Sequence, residues 1–252
     1  MSESYAAQGV NIRHHALGEA DRIISVFTRE HGIVRAVAKG VKKPTSRLGG
    51  RMELLHCNTL MFRRGRSLDI ILTAETVRSF GGLRLDFDRL AFALYLAEVV
   101  NGLLPVGHPQ PVVYDLFVST LAMLETLERP ELVALWFQLQ LLTELGHHVG
   151  LTACHGCQRP IEPQRHGVGF QLSLGAIVCP DCRFGRPDVR ELMPAALTLL
   201  RQLRHGGIQA LVDITEPVTV ALGAQRVLGD YFATLAEREI KSLRILLDQA
   251  AV

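Results

Sequence analysis

The sequence predicts an α+β chain of two parts. An N-terminal five-stranded, OB-like β-barrel is followed by an α-helical domain with an inserted four-cysteine, zinc-ribbon-like module. Three observations predict it. Apolar residues alternate with period 2 as far as Phe80. The period becomes about 3.6 beyond Gly81-Gly82, where helical spacing begins. Two C-x-x-C pairs, Cys154/Cys157 and Cys179/Cys182, interrupt the helical part. The expected division is a barrel over 1–80 and a helical domain over 81–252, with the cysteine module at 150–187.

Five strands account for the first part. Val10 to His14 alternates apolar and polar residues, and Arg22 to Phe27 is rich in β-branched ones. Ile33 to Ala38 follows the turn Glu30-His31-Gly32. Leu54 to Phe62 and Leu68 to Thr73 are joined by Arg63-Arg64-Gly65-Arg66. Five short strands within about 70 residues, punctuated by turn signals, suit a small barrel or sandwich, and a five-stranded oligonucleotide-binding barrel has this size.

Helices are predicted over Phe87–Leu104, Pro111–Leu127 and Glu131–Leu145. Pro130 suits the first turn of the third, and Gly146 its C-terminal cap. Pro194–His205 reads as another helix, and Val218–Gln249 as one or two more. The most apolar stretches are broken by Glu98, Asn101, Gln138 and Glu144, too polar for a span of ~20 residues. Met1 to Gln8 is short and polar, unlike a signal peptide, so a cytoplasmic protein is expected.

Each C-x-x-C step lets two sulfurs of one knuckle reach the same ion. Two such knuckles separated by 21 residues supply four soft thiolates, which suits one structural zinc per chain. Gln158 to Val178 holds Gly167, Gly169 and Gly175 among alternating apolar residues, the pattern of a hairpin. Disulfide pairing is the alternative. A reducing compartment favours the metal. Four sulfurs close the coordination shell and leave no position for a water or substrate. Cys57, in an apolar run, reads as a buried, inert thiol.

The formal net charge of +2 hides a division. Residues 1–80 contain 3 Lys and 10 Arg against 2 Asp and 5 Glu, a net +6, so the remainder carries −4. Lys39 to Arg51 holds Lys39, Lys42, Lys43, Arg47 and Arg51 and no acid. Its glycines, Pro44, Thr45 and Ser46 predict a mobile loop. With Arg63, Arg64 and Arg66 in the next turn, eight cations could gather phosphates without reading bases. A solvated basic loop that binds nothing is the alternative. Aromatic stacking has little support here, because Phe27 and Phe62 read as core and leave only Tyr5.

Weaker features add little. Arg238, Lys241 and Arg244 recur on the last helix, balanced by Glu237 and Glu239, and read as a solvated face before a second DNA contact. Trp136 reads as core. The chain has no G-x-x-x-x-G-K-[ST], H-E-x-x-H or G-x-S-x-G motif, and no H-x-E accompanies the cysteines. No catalytic residues are predicted. A zinc-dependent enzyme acting on nucleic acid and a zinc-ribbon assembly scaffold are the competing classes. The first needs a three-ligand site with an acid or base beside it. The second does not need a positive barrel.

Gly18-Glu19-Ala20-Asp21-Arg22, Phe27-Thr28-Arg29-Glu30-His31-Gly32 and Ala36-Val37-Ala38-Lys39-Gly40, the last followed by a basic stretch and Ser46-Arg47-Leu48, resemble the RecO family of bacterial recombination mediators. The order of parts matches along the whole chain, and the first 80 residues are the most specific. Many members lack the cysteines, so the metal site does not define the family. The resemblance implies a non-enzymatic DNA repair protein, cytoplasmic and nucleoid-associated. It would bind single- and double-stranded DNA, anneal complementary strands and act with RecR to load RecA on DNA coated with single-strand DNA-binding protein (SSB). The barrel would carry DNA contacts, and the helical domain would receive the acidic tail of SSB.

Overall fold

The structure is a computed structural model that describes residues 3–162 and 167–249. The chain forms two compact units, Met1–Thr126 and Leu127–Val252.

In the first unit, β1 (Ser4–Leu17), β2 (Asp21–Thr28), β3 (Gly32–Ala38), β4 (Cys57–Arg63) and β5 (Asp69–Arg78) close into a barrel in the order β1-β2-β3-β5-β4. Closure depends on β1. Its first half pairs with β4, from Ser4↔Arg63 to Val10↔Cys57, and its second half with β2, from Gly9↔Thr28 to Leu17↔Asp21. The register shifts between Asn11 and Arg13, and a bulge there lets one long strand bend between two partners. The sequence signal begins only at Val10, because Ala6, Ala7, Gln8 and Gly9 have little strand preference of their own. Pairing with β4 overrides that preference.

The connection from Lys39 to His56 differs from the mobile loop expected. Val41 and Met52 are buried in the barrel core with Ile24, Val26, Leu60 and Phe62, and Leu48 packs against them. Gly49–Met52 forms one 3₁₀ turn. The side-chain amides of Asn11 and Asn58 donate to the Arg51 carbonyl at 3.0 and 2.8 Å. Three apolar residues spaced among the cations turn the segment into a plug whose apolar side chains point inward. Gly32, in the β2–β3 turn, has φ +64°, and a Cβ there would lie 2.0 Å from the His108 carbonyl oxygen, so only glycine fits.

Helices α1 (Phe87–Leu103) and α2 (Pro111–Thr126) complete this unit. Asp86 caps α1, its carboxylate accepting from the Arg89 N–H at 3.1 Å. Cys57 is buried, with its Sγ 3.5 Å from the Tyr114 hydroxyl.

In the second unit, α3 (Pro130–Glu144) is buried along most of its length, and α4 (Pro194–His205) and α6 (Val218–Leu235) pack on it. A short α5 (Ala210–Asp213) and α7 (Lys241–Gln249) complete the helices. Between α3 and α4 lies a three-stranded sheet of β6 (Val168–Gln171), β7 (Ala176–Val178) and β8 (Val189–Leu192), in the order β7-β6-β8. β6 and β7 are the expected hairpin. β8 carries the sheet beyond the 150–187 window. Arg201 of α4 ties the module to the helices, donating to the carbonyls of Leu151 and Ile161 at 2.7 and 2.8 Å. Trp136 of α3 is half-buried.

Two histidines beneath the plug make the first unit acid-sensitive. Burial lowers the pKa of His14, and the neighbouring Arg22 lowers it further. Burial and then Arg84 lower that of His56. His14 Nε2 and His56 Nδ1 are buried without a hydrogen-bond partner. The unfolded chain therefore binds these protons more readily, so stability is lost as pH falls through the unfolded value of about 6.5 towards the lower folded ones. The unfolding midpoint is expected to fall between about pH 7.5 and 5.5, and His14→Gln should flatten that dependence. A midpoint unchanged over this range would contradict the assignment.

Candidate nucleic-acid interface and metal centre

The β3–β5 register organises the cations. Ala36↔Asp69 and Val37↔Ile70 set the end of β3 beside the start of β5. The loop leaving β3, with Lys39, Lys42 and Lys43, and the loop entering β5, with Arg64 and Arg66, thus emerge at one end of the barrel. Arg63 ends β4 there. The β1–β2 turn joins them: the Lys42 N–H donates to the Ala20 carbonyl at 3.0 Å, and Lys42 Nζ to that of Gly18 at 3.1 Å. Arg47 and Arg51 continue the same segment, with the Ser46 N–H donating to the Lys43 carbonyl at 2.9 Å. The Arg51 guanidinium donates to the Arg47 carbonyl, and its own carbonyl is fixed near the start of β4 by Asn11 and Asn58.

All eight are exposed except Arg63, which is half-buried. Arg64 faces Glu3 at 3.6 Å and lies over the Tyr5 ring, 4.8 Å from its centroid. Among the described residues, no ion pair engages the other seven, so their charge is left to solvent or a ligand. Tyr5 offers no free face. Phe62 stacks on it at 5.1 Å, Arg64 covers it, and its hydroxyl donates to Asp69 at 2.5 Å.

Two cations missed by the sequence reading lie side by side on the strands themselves. Arg13 of β1 and Arg35 of β3 both pair in register with Ser25 of β2, which sets them on one outer face. The pKa of His15 is lowered by burial and then by the charges of these two arginines. The alternation Ile33-Val34-Arg35-Ala36 held the signal for Arg35, because the buried neighbours force it outward.

The second constellation lies in the other unit. The four Sγ atoms of Cys154, Cys157, Cys179 and Cys182 lie within 4.8 Å of one another, close enough to hold a metal ion. Cys157 and Cys179 are 3.9 Å apart across the two knuckles. A tetrahedral ion with Zn–S bonds of ~2.3 Å needs sulfur–sulfur edges of about 3.8 Å, so the spacing fits. Burial pushes the Cys154 thiol up, but the N–H groups of Cys179, Cys157 and Gly156 outweigh it and hold the thiol at about 6. Cys182, hydrogen-bonded to Cys179 and Cys154, is pushed up to about 12. A divalent ion bound among the four sulfurs would favour the thiolate at Cys182 as well as at Cys154. His147, His148 and His155 are outside the cluster.

Gly156 lets the knuckles meet. A Cβ there would lie 3.0 Å from both Cβ and Sγ of Cys182. Gly156→Ala should therefore spread the site and release its metal at lower chelator concentration than the parent, read by a colorimetric chelator. Equal retention would show that the close approach is not needed.

Both halves of this arrangement have counterparts among known proteins. The family model described as Recombination protein O N terminal matches residues 1–80, and Recombination protein O C terminal matches 84–244. The chain belongs to the RecO family. DNA repair protein RecO of Symbiobacterium thermophilum is 34% identical, with 96% of each chain covered. That of Acaryochloris marina is 39% identical over 98% of this chain and 95% of the relative. That of Pelotomaculum thermopropionicum is 30% identical over 96% and 93%. The RecO family is thus one of DNA repair and recombination, and its names denote no enzyme class. No helix among the described residues is long and apolar enough to cross a membrane.

Proposed function

We propose that this RecO-family chain is a non-enzymatic recombination mediator of the bacterial cytoplasm and nucleoid. It binds single- and double-stranded DNA through the barrel and anneals complementary strands. With RecR it helps to load RecA on SSB-coated single strands. One observation carries this reading: Lys39, Lys42, Lys43, Arg63, Arg64 and Arg66 gather at one end of a closed five-stranded barrel. Such a surface attracts phosphates by counterion release and is indifferent to sequence. Annealing requires two strands held close, with their repulsion neutralised and their bases free to pair. The covered Tyr5 ring fits this role, since a barrel end that stacked bases would compete with pairing. Docking of the acidic SSB tail on the helical domain, and the RecR contact, rest on family membership alone.

Cys154, Cys157, Cys179 and Cys182 would hold one structural zinc, which supplies charge neutralisation and a cross-link between two knuckles. All four ligands come from the chain, so the site fits a scaffold better than a hydrolytic centre, which keeps a position open. Gently purified protein should carry about one zinc per chain, and a metal-free preparation would overturn the assignment. Cys→Ser at any ligand should lower stability more than DNA affinity. ATP hydrolysis and DNA cleavage should be absent. Turnover that copurifies with the protein and disappears in Cys154→Ser would favour an enzyme instead.

Lys39, Lys43 and Arg66 are exposed, and among the described residues nothing holds them in an ion pair. Their joint replacement by Glu should leave the fold intact, as circular dichroism would check. Affinity for a fluorescent single strand should fall, and the log–log salt slope should flatten by about 0.7 for each lost phosphate contact. Annealing should fall in parallel. A folded variant that binds and anneals like the parent across the salt series would remove the barrel end from the reading.

A further inference from the structure

Phe184 is 93% exposed, the most exposed of the large apolar side chains among the described residues. It stands two residues beyond Cys182, in a turn whose backbone the second knuckle fixes. The N–H groups of Cys182 and Arg183 donate to the Cys179 carbonyl at 3.1 and 3.0 Å, and the Arg186 N–H returns to the Arg183 carbonyl at 3.2 Å. Gly185, at φ +75°, completes the reversal. The ring is therefore presented on a short turn anchored beside a cross-linked site. Arg183 precedes it and is exposed, as is Arg159 beside the first knuckle, while Arg186 is turned back to the Gln171 side chain.

We infer that Phe184 is a base-stacking platform for single-stranded nucleic acid. This rests on the DNA-binding reading above and adds a second contact of a different kind, on the other unit. A solvated phenylalanine gains by covering its face, and an unpaired base offers a flat π-surface of any sequence. Charge alone does not bring the strand here. Four thiolates around a divalent ion leave a residual negative charge, and Asp181 adds to it, so Arg159 and Arg183 are largely offset. The contact then works by stacking on an unpaired base rather than by charge. The division matches the barrel end, which has free cations and no free aromatic face.

The full-length protein with its metal is titrated with a labelled single-stranded oligonucleotide and with the matching duplex, over a salt series. Phe184→Ala should weaken single-strand binding by about 5- to 10-fold while leaving the log–log salt slope unchanged, because no phosphate contact is lost. Duplex affinity should change little, since its bases are already stacked. Phe184→Tyr should restore binding. In Phe184→Trp, oligo(dT) should quench tryptophan emission beyond the change seen in the parent, whose single tryptophan is Trp136. If the parent binds the oligonucleotide, but Phe184→Ala binds equally well and the introduced indole of Phe184→Trp is unquenched, the platform is overturned. The ring is then left as a contact for a protein partner. If the parent binds no DNA at all, the reading beneath it fails as well.

Discussion

A five-stranded sheet closes into a barrel only when its two outermost strands also pair, and here β1 makes that pairing by splitting its length between β4 and β2. Its first half pairs with β4 and its second with β2, about the irregularity between Asn11 and Arg13. Closure in turn brings the end of β3 to the start of β5 over just two residue pairs. That short junction sets two basic loops side by side. A sheet left open at β3 and β5 would keep its core strands but would scatter the cations.

The second unit solves a different problem. Its cysteine module is small, and its sheet has three strands of three or four residues. Such a sheet buries too little apolar surface to stand alone. Two devices compensate: four sulfurs that converge on one point, and Arg201, which draws two carbonyls of the module onto α4. The cysteine cluster and the helices therefore share the task of ordering the segment that ends in Phe184.

Much of this was legible in the sequence, and the parts that were not share a cause. The cysteine spacing, the hairpin at Val168–Val178 and the long helices follow from local pattern, and local pattern survives into the structure. What escaped was set by distant partners. Ala6 to Gly9 become strand only because β4 lies beside them. The plug reads as a loop because its anchors lie elsewhere: Asn11, 40 residues from Arg51, and Asn58, 7 residues away. Arg13 and Arg35 went unremarked as single charges in separate strands, and only the register with Ser25 unites them.

The dual pairing of β1 also sets an order of events during synthesis. β1, β2 and β3 form a meander of neighbouring strands and can pair as soon as they leave the ribosome. Residues Ser4 to Gln8 cannot, since their partners end at Arg63. At about 5–20 residues per second, that half-strand waits several seconds with both edges open. Its sequence, Ser-Tyr-Ala-Ala-Gln, contains one aromatic residue and no β-branched one. The weak strand preference that hid it from the pattern thus makes it a poor template for pairing with other nascent chains before β4 arrives.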